Sequence, residues 1–263
     1  MEGHGPNAIE QERSVSGIIG EALDVYQRYP LIFLTLALGV IGPYELIVLA
    51  VTGTGPLSST AHEPVARFYL LLVIEAIVVT PLVSVLHIHA VLKIGEGERP
   101  RIGQVALRGL QVLPVAVAAV IVSGAGIILG FIALIVPGIL LSLHWAVVAQ
   151  VAAIEHEGWI PSLRRSGQLA HDQFLHIFWL LLLIALVTAG VTAGARAIPL
   201  GSATGAASVS VGIAVRTITA SFAALTTAIL YFDLRARLSG GRPRTLVEHQ
   251  DLRDLDPGPP EED

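Results

Sequence analysis

Six long apolar segments, separated by short polar ones, set the plan of this chain. They run over residues 31–52, 68–94, 112–134, 137–154, 174–194 and 206–232. A helix of about 20 apolar residues crosses a hydrocarbon core of roughly 30 Å, so each segment predicts a transmembrane helix, the fourth only just. The third and fourth form one apolar run, with no Asp, Glu, Lys or Arg between Arg108 and Glu155. Its one interruption, Pro137–Gly138, predicts a tight and shallow turn. Small residues crowd 123–126 and Gly130, and again Ala189, Gly190, Ala193 and Gly194, which predicts close helix packing there.

Three of the polar stretches before spans carry helical apolar spacing of their own. In 14–29, Val15, Ile18, Ile19, Ala22, Leu23, Tyr26 and Tyr29 fall on one side, with Glu21, Asp24 and Arg28 elsewhere. That spacing predicts an amphipathic interfacial helix before span one. Similar segments, 102–112 and 160–173, precede spans three and five. A faint repeat links them, since Leu23 and Gln27, Leu107 and Gln111, and Leu169 and Gln173 recur at one spacing. The pattern suggests three units, each an interfacial helix feeding one span out and one back. The plainer alternative is that helices entering a membrane from one side look alike. The fold class is therefore all-α and polytopic, with one membrane domain over 14–238 between disordered tails at 1–13 and 239–263.

Charge then orients the plan. Thirteen of the sixteen Lys and Arg residues fall in the tails and inner loops if the N-terminus is cytoplasmic. Arg67 and Arg196 alone lie in outer loops, and Arg216 lies within a span. The positive-inside rule thus predicts a multi-pass cell-membrane protein with both termini cytoplasmic. A mean hydropathy of +0.71 agrees. No cysteine is present, which excludes disulfide frameworks and thiolate chemistry. One Lys against fifteen Arg is a composition associated with prokaryotic genomes of high GC content.

Candidate chemistry is sparse. Glu45, Glu75, His144 and Arg216 are ionisable groups within spans, each placed in the outer half by counting from the span midpoint. Charges at such depth cost about 2.5–3.5 kcal/mol each on insertion scales, so pairing is expected. Glu45 or Glu75 is predicted to neutralise Arg216, with His144 as a further partner. A second set, Asp24, Glu155, Arg164, Arg165, Asp233 and Arg235, is placed by topology at the inner boundary. Asp233, in the last turn of a span, opposes the helix dipole, so an arginine partner is predicted, Arg165 or Arg164. His87 and His89 lack metal-ligand spacing, and no nucleophile elbow, phosphate loop or dinucleotide fingerprint occurs. No cofactor is implied.

Three stretches carry a family resemblance: GEALDVYQRYP at 20–30, the segment from VPGILL to HDQF at 136–174, and ILYFDLRAR at 229–237. Together they resemble the membrane domain fused to some glycerophosphoryl diester phosphodiesterases, and the stand-alone prokaryotic YciC-like membrane proteins. The matching positions are Pro137, Gly138, Glu155, Leu163, Arg165, Ser166, Leu230, Tyr231, Asp233, Leu234 and Arg235, with Ser162 in place of the usual Ala. The resemblance implies a helical membrane domain without the fused enzymes' catalytic barrel, for which no segment is long enough. Phosphodiesterase activity is therefore not implied.

The leading expectation is a non-enzymatic integral membrane protein serving membrane homeostasis or assembly through membrane lipids or a protein partner. A small transporter using Glu45, Glu75, His144 and Arg216 is the alternative, and a lipid-modifying enzyme a weaker one. Nothing in the sequence points to nucleic acid.

Overall fold

A computed structural model describes residues 12–57, 64–155, 158–198 and 204–240. Most of both predicted tails lies outside these. Among the described residues the chain is helical throughout, without a strand. Six helices are long and apolar enough to cross a membrane: Pro30–Thr52, Val65–Gly95, Ile102–Ala133, Ile135–Glu155, Phe174–Ala197 and Ala206–Leu238. An even number of crossings puts residues 14 and 238 at one end of the bundle, here the termini-bearing end. The loops after Thr52, Ala133 and Ala197 mark the opposite, loop end.

Local chemistry explains most boundaries. Helix α1 (Val15–Arg28) starts at Ser14, whose Oγ accepts the Gly17 N–H at 3.1 Å. Tyr29 leaves helical geometry and Pro30 opens α2 (Pro30–Thr52), where its missing N–H costs nothing. Gly53 closes α2 in the left-handed region, at φ 70°. The second crossing is α3 (Val65–Ile74), a π-helical turn (Glu75–Val79) and α4 (Thr80–Gly95). The third is α5 (Ile102–Ala133), which runs through Pro114 without a break. The fourth is split into α6 (Ile135–His144) and α7 (Val148–Glu155). Helix α8 (Trp159–Ala170), α9 (Phe174–Ala197) and α10 (Ala206–Leu238) complete the chain.

Helix α10 is the axis of the bundle. Half of its span is buried, against 17% for α9, and it touches α1, α2, α4, α7, α8 and α9. Phe33, Ile88, Leu169, Ile177, Leu180, Leu225 and Leu230 form the core around its termini-bearing half. The outer belt is apolar: Leu31, Ile132 and Leu175 are 78, 75 and 74% exposed, which fits hydrocarbon rather than water.

Three expectations change. The predicted interfacial helix at 102–112 is the first third of α5, not a separate element, so only α1 and α8 stand apart and the three-unit repeat loses its middle member. The break between spans three and four falls at Leu134, not Pro137–Gly138. Leu134 alone is extended (φ −163°, ψ 154°), and Pro137 sits in the first turn of α6, where proline is tolerated. Gly138 serves packing instead, since a Cβ there would enter the Phe131 ring. Finally, Gly126 and Gly130 do pack closely, Gly126 under Trp145. Gly190 and Gly194 instead face open space on the exposed side of α9.

Candidate functional site

The intramembrane charges assemble from three elements. Glu45 lies on α2, Glu75 opens the π turn, and Arg216 lies on α10. The Arg216 Nη1 is 2.8 Å from Glu45 Oε1, and Nη2 donates to Glu75 Oε1. The Glu45 contact is an ion pair without hydrogen-bond geometry, so that oxygen has no donor among the described residues. Glu45 is buried, while Glu75 and Arg216 remain about one-third exposed, at 31 and 33%. Two carboxylates thus share one guanidinium, and the sequence expectation of a pair is met by both acids.

The π turn explains how Glu75 reaches this position. Pro81 has no N–H, and its ring crowds the carbonyl one turn earlier, so a regular helix is disfavoured there. A widened turn just before it relieves the conflict: the Thr80 N–H bonds Glu75 O, five residues back. Tyr44 on α2 donates to Leu71 O at 3.0 Å and fastens the two spans beside the triad. Proline in mid-span was the signal available in the sequence for this turn.

A cavity of about 460 Å³ opens beside the triad, between the π turn, α4, α5, the α6–α7 junction and α10. Glu75 and Arg216 line it, and Thr80, Ser84, Ser123, Gln150 and Thr227 add hydroxyl and amide groups to a mostly apolar wall. Gln150 Nε2 donates to Thr227 Oγ1 at 3.0 Å. Gln150 Oε1 is buried with no donor among the described residues. A buried acceptor without a donor is costly, by about 1–3 kcal/mol. A cavity of this size and mostly apolar lining is typical of small-molecule sites. Gln150 escaped the sequence reading because a lone glutamine in an apolar run carries no pattern.

His144 does not join the triad. Its ring meets Gly167 of α8, lies 6.0 Å from the Trp145 ring and 6.4 Å from Phe174, and its carbonyl accepts from Ser166 Oγ at 3.1 Å. Similar depth did not make it a partner, because α8 packs against α5, α6 and α7 and takes the face of the fourth crossing that His144 occupies. Helix α8 thereby covers the middle of the fourth crossing.

The predicted inner-boundary cluster separates into three pieces. Asp24 pairs with Arg28 at 2.9 Å, both over half exposed. Glu155 receives Arg165 Nε at 3.1 Å and the Tyr231 hydroxyl at 3.1 Å, with Arg235 approaching the same phenol oxygen. Asp233, fully buried, takes neither Arg165 nor Arg164. Its Oδ2 is 2.8 Å from Arg237 Nε and 3.3 Å from His176 Nε2, and its Oδ1 accepts the Arg13 main-chain N–H at 2.5 Å. Arg237 donates in turn to the Arg13 carbonyl. Arg164 is exposed and joins no piece. Arg237 was legible as an i, i+4 partner on the same helix. Arg13 and His176 were not, since both come from distant parts of the chain.

The two span-two histidines each turn a ring nitrogen back to their own helix. His87 Nδ1 sits 2.8 Å from Val83 O and Nε2 2.9 Å from Ser221 Oγ, while His89 Nδ1 sits 2.8 Å from Val85 O. Next to Ser221 lies Tyr26 of α1, whose phenol is raised by burial, with the Ser221 hydroxyl acting the other way. Among the described residues no three His, Asp or Glu side chains are grouped to hold a metal. No family model, curated protein or solved structure matches this chain.

Proposed function

We propose that this chain is a non-enzymatic multi-pass membrane protein whose bundle holds an amphiphilic, lipid-class ligand, in the service of membrane homeostasis or assembly. One observation carries the reading: the cavity of about 460 Å³ has apolar walls, a charged edge at Glu75 and Arg216, and an unsatisfied acceptor, Gln150 Oε1. An alkyl portion suits the walls, and a polar head with a hydroxyl or N–H suits Gln150. The resemblance to the phosphodiesterase membrane domain supports a lipid-facing role. The distribution of arginines supports a cytoplasmic location for both termini in a cell membrane. Reporter fusions after Gly240 and within 53–62 check that orientation, and periplasmic-type activity at the C-terminal fusion overturns it.

Native mass spectrometry of the purified full chain tests the ligand. The wild type should keep a bound amphiphile, and Gln150→Leu, which preserves volume but removes the acceptor, should release it. Identical adducts in both, or none in the wild type, overturn the reading. A small carrier is the second reading, favoured by the triad's direct contact with the cavity. It requires solute movement in proteoliposomes that Glu75→Gln abolishes.

A further inference from the structure

A separate cavity of about 230 Å³ lies at the termini-bearing end, between α4 and α5. Buried His89 and Lys93, one turn apart, line its α4 side; Arg101, Gln104 and Arg108 line its α5 side. Gln104 and Arg108, four residues apart on α5, share a helix face, and Arg101, the extended residue just before the first turn, lines the cavity beside them. Arg101 and Arg108 are about 10.5 Å apart along the axis, at 1.5 Å per residue, a gap that two long side chains close from either end. Helix α4 backs them closely, because Gly109 leaves only 2.7 Å between its would-be Cβ and Leu86 Cδ2.

The charge is one-sided. Lys93 Nζ is held by Glu96 and Glu98 at 2.7 and 3.0 Å, yet neither glutamate lines the cavity. Among the described residues the Arg101 and Arg108 guanidinium groups have no carboxylate partner, and both are exposed. Arg101 also precedes the first turn of α5, which has no side-chain cap. The early N–H groups there lack carbonyls within the helix and add to the positive field. Leu107, on the cavity's rim and 61% exposed, continues into apolar surface at Leu110.

We infer that this α4–α5 cavity binds a phosphate group, gripped by the guanidinium forks of Arg101 and Arg108 with the Gln104 amide as a neutral donor. Planar forks match phosphate oxygens two at a time, which an ammonium cannot do. Basic pockets between spans at a headgroup layer take anionic lipid heads in this way. Leu107 and Leu110 give the alkyl chains of such a lipid somewhere to lie. Free phosphate presents the same chemistry.

The test uses the purified full chain in uncharged detergent, as wild type, Arg101→Gln/Arg108→Gln and Arg101→Lys/Arg108→Lys. Each is titrated with phosphatidylglycerol, with diacylglycerol as the phosphate-free counterpart, and with millimolar inorganic phosphate. Native mass spectrometry counts retained lipid, and thermal melting follows inorganic phosphate. The wild type should retain phosphatidylglycerol about tenfold better than diacylglycerol. The Gln pair should lose that preference and the Lys pair should keep part of it. A melting rise with inorganic phosphate that only the Gln pair lacks assigns the site to free phosphate and sustains it. Equal phosphatidylglycerol retention by wild type and Gln pair, without a variant-sensitive phosphate response, overturns the inference. So does a wild type that binds neither. Because both arginines lie outside the central cavity, that result leaves the ligand reading of Gln150 standing or falling separately.

Discussion

The two ends of the bundle each bury a carboxylate, and they satisfy it in opposite ways. At the termini-bearing end, Asp233 finds its cation on its own helix, Arg237, its Oδ1 accepts the Arg13 N–H, and His176 Nε2 stands 3.3 Å from its Oδ2 without hydrogen-bond geometry. Toward the loop end, Glu45 and Glu75 draw one Arg216 from a third element, and one Glu45 oxygen is left without a donor. In the first arrangement both carboxylate oxygens have donors, and it ties Arg13 to the end of α10. The second is under-supplied with cations and faces a cavity. A saturated network can do little besides hold, whereas a site short of donors has capacity left for a ligand. Burial alone does not separate structural from functional charge; the count of partners does.

Arg216→Met strikes the under-supplied site hardest. It leaves two carboxylates facing each other in apolar surroundings, and breaking a buried pair by removing one partner costs about 3–5 kcal/mol. The melting temperature in detergent should fall steeply, with much of the protein aggregating on size-exclusion chromatography. Arg216→Lys should fall between, because one ammonium cannot hold carboxylates from two helices in a planar fork. Adding Glu45→Gln to Arg216→Met should recover part of the loss, the signature of direct coupling. A Met variant that melts like the wild type would show that the triad is not the fastening between α2, the π turn and α10.

The sequence made the crossings legible because membrane insertion depends on summed hydrophobicity and length, which survive without tertiary knowledge. Ser14, Pro30 and Gly53 likewise announce their ends through local chemistry. Leu134 did not, since the extended conformation of one leucine comes from the packing of Gly130 and Gly138 rather than from leucine itself. The pairing of Arg216 with the glutamates followed from the cost of charge in lipid. His144 is not a triad partner, because depth along a span does not say which face a side chain occupies, and its face meets α8. For Asp233, the dipole argument rightly demanded a cation. The local arginine at 237 supplies it rather than the remote one at 165, since the local pair costs no loop closure and leaves Arg165 for Glu155.

Asp233→Asn probes the saturated end and should have the second-largest effect. The amide keeps the shape but loses the charge on which Arg237 and the Arg13 N–H depend, and hydrogen bonds to charged groups are worth about 1.5–3 kcal/mol each. Melting should drop by less than in Arg216→Met, and proteolysis near residue 13 should accelerate as the N-terminal tether loosens. A charge swap of Asp233 with Arg237 should recover part of the stability, and a swap with Arg165 should recover none. Recovery by the Arg165 swap instead would mean that the two acidic networks exchange partners, and the contrast between the ends would blur.

Asp24→Asn sharpens the comparison from the weak side. Asp24 and Arg28 repeat the four-residue spacing of Asp233 and Arg237 with the same residue types and nearly the same distance, 2.9 against 2.8 Å. They differ in surroundings: the Asp24 side chain is 57% exposed and that of Asp233 is 0% exposed. Water screens the exposed pair, and holding two long side chains together costs rotamer freedom, so such helix pairs contribute about 0.3–0.5 kcal/mol. The melting temperature should move within the scatter of replicate scans, and should be insensitive to added salt beyond that. If Asp24→Asn instead destabilised the protein as much as Asp233→Asn, the pair would be carrying the docking of α1 against the bundle. The energetic gap between the two aspartates would then have to come from something other than burial.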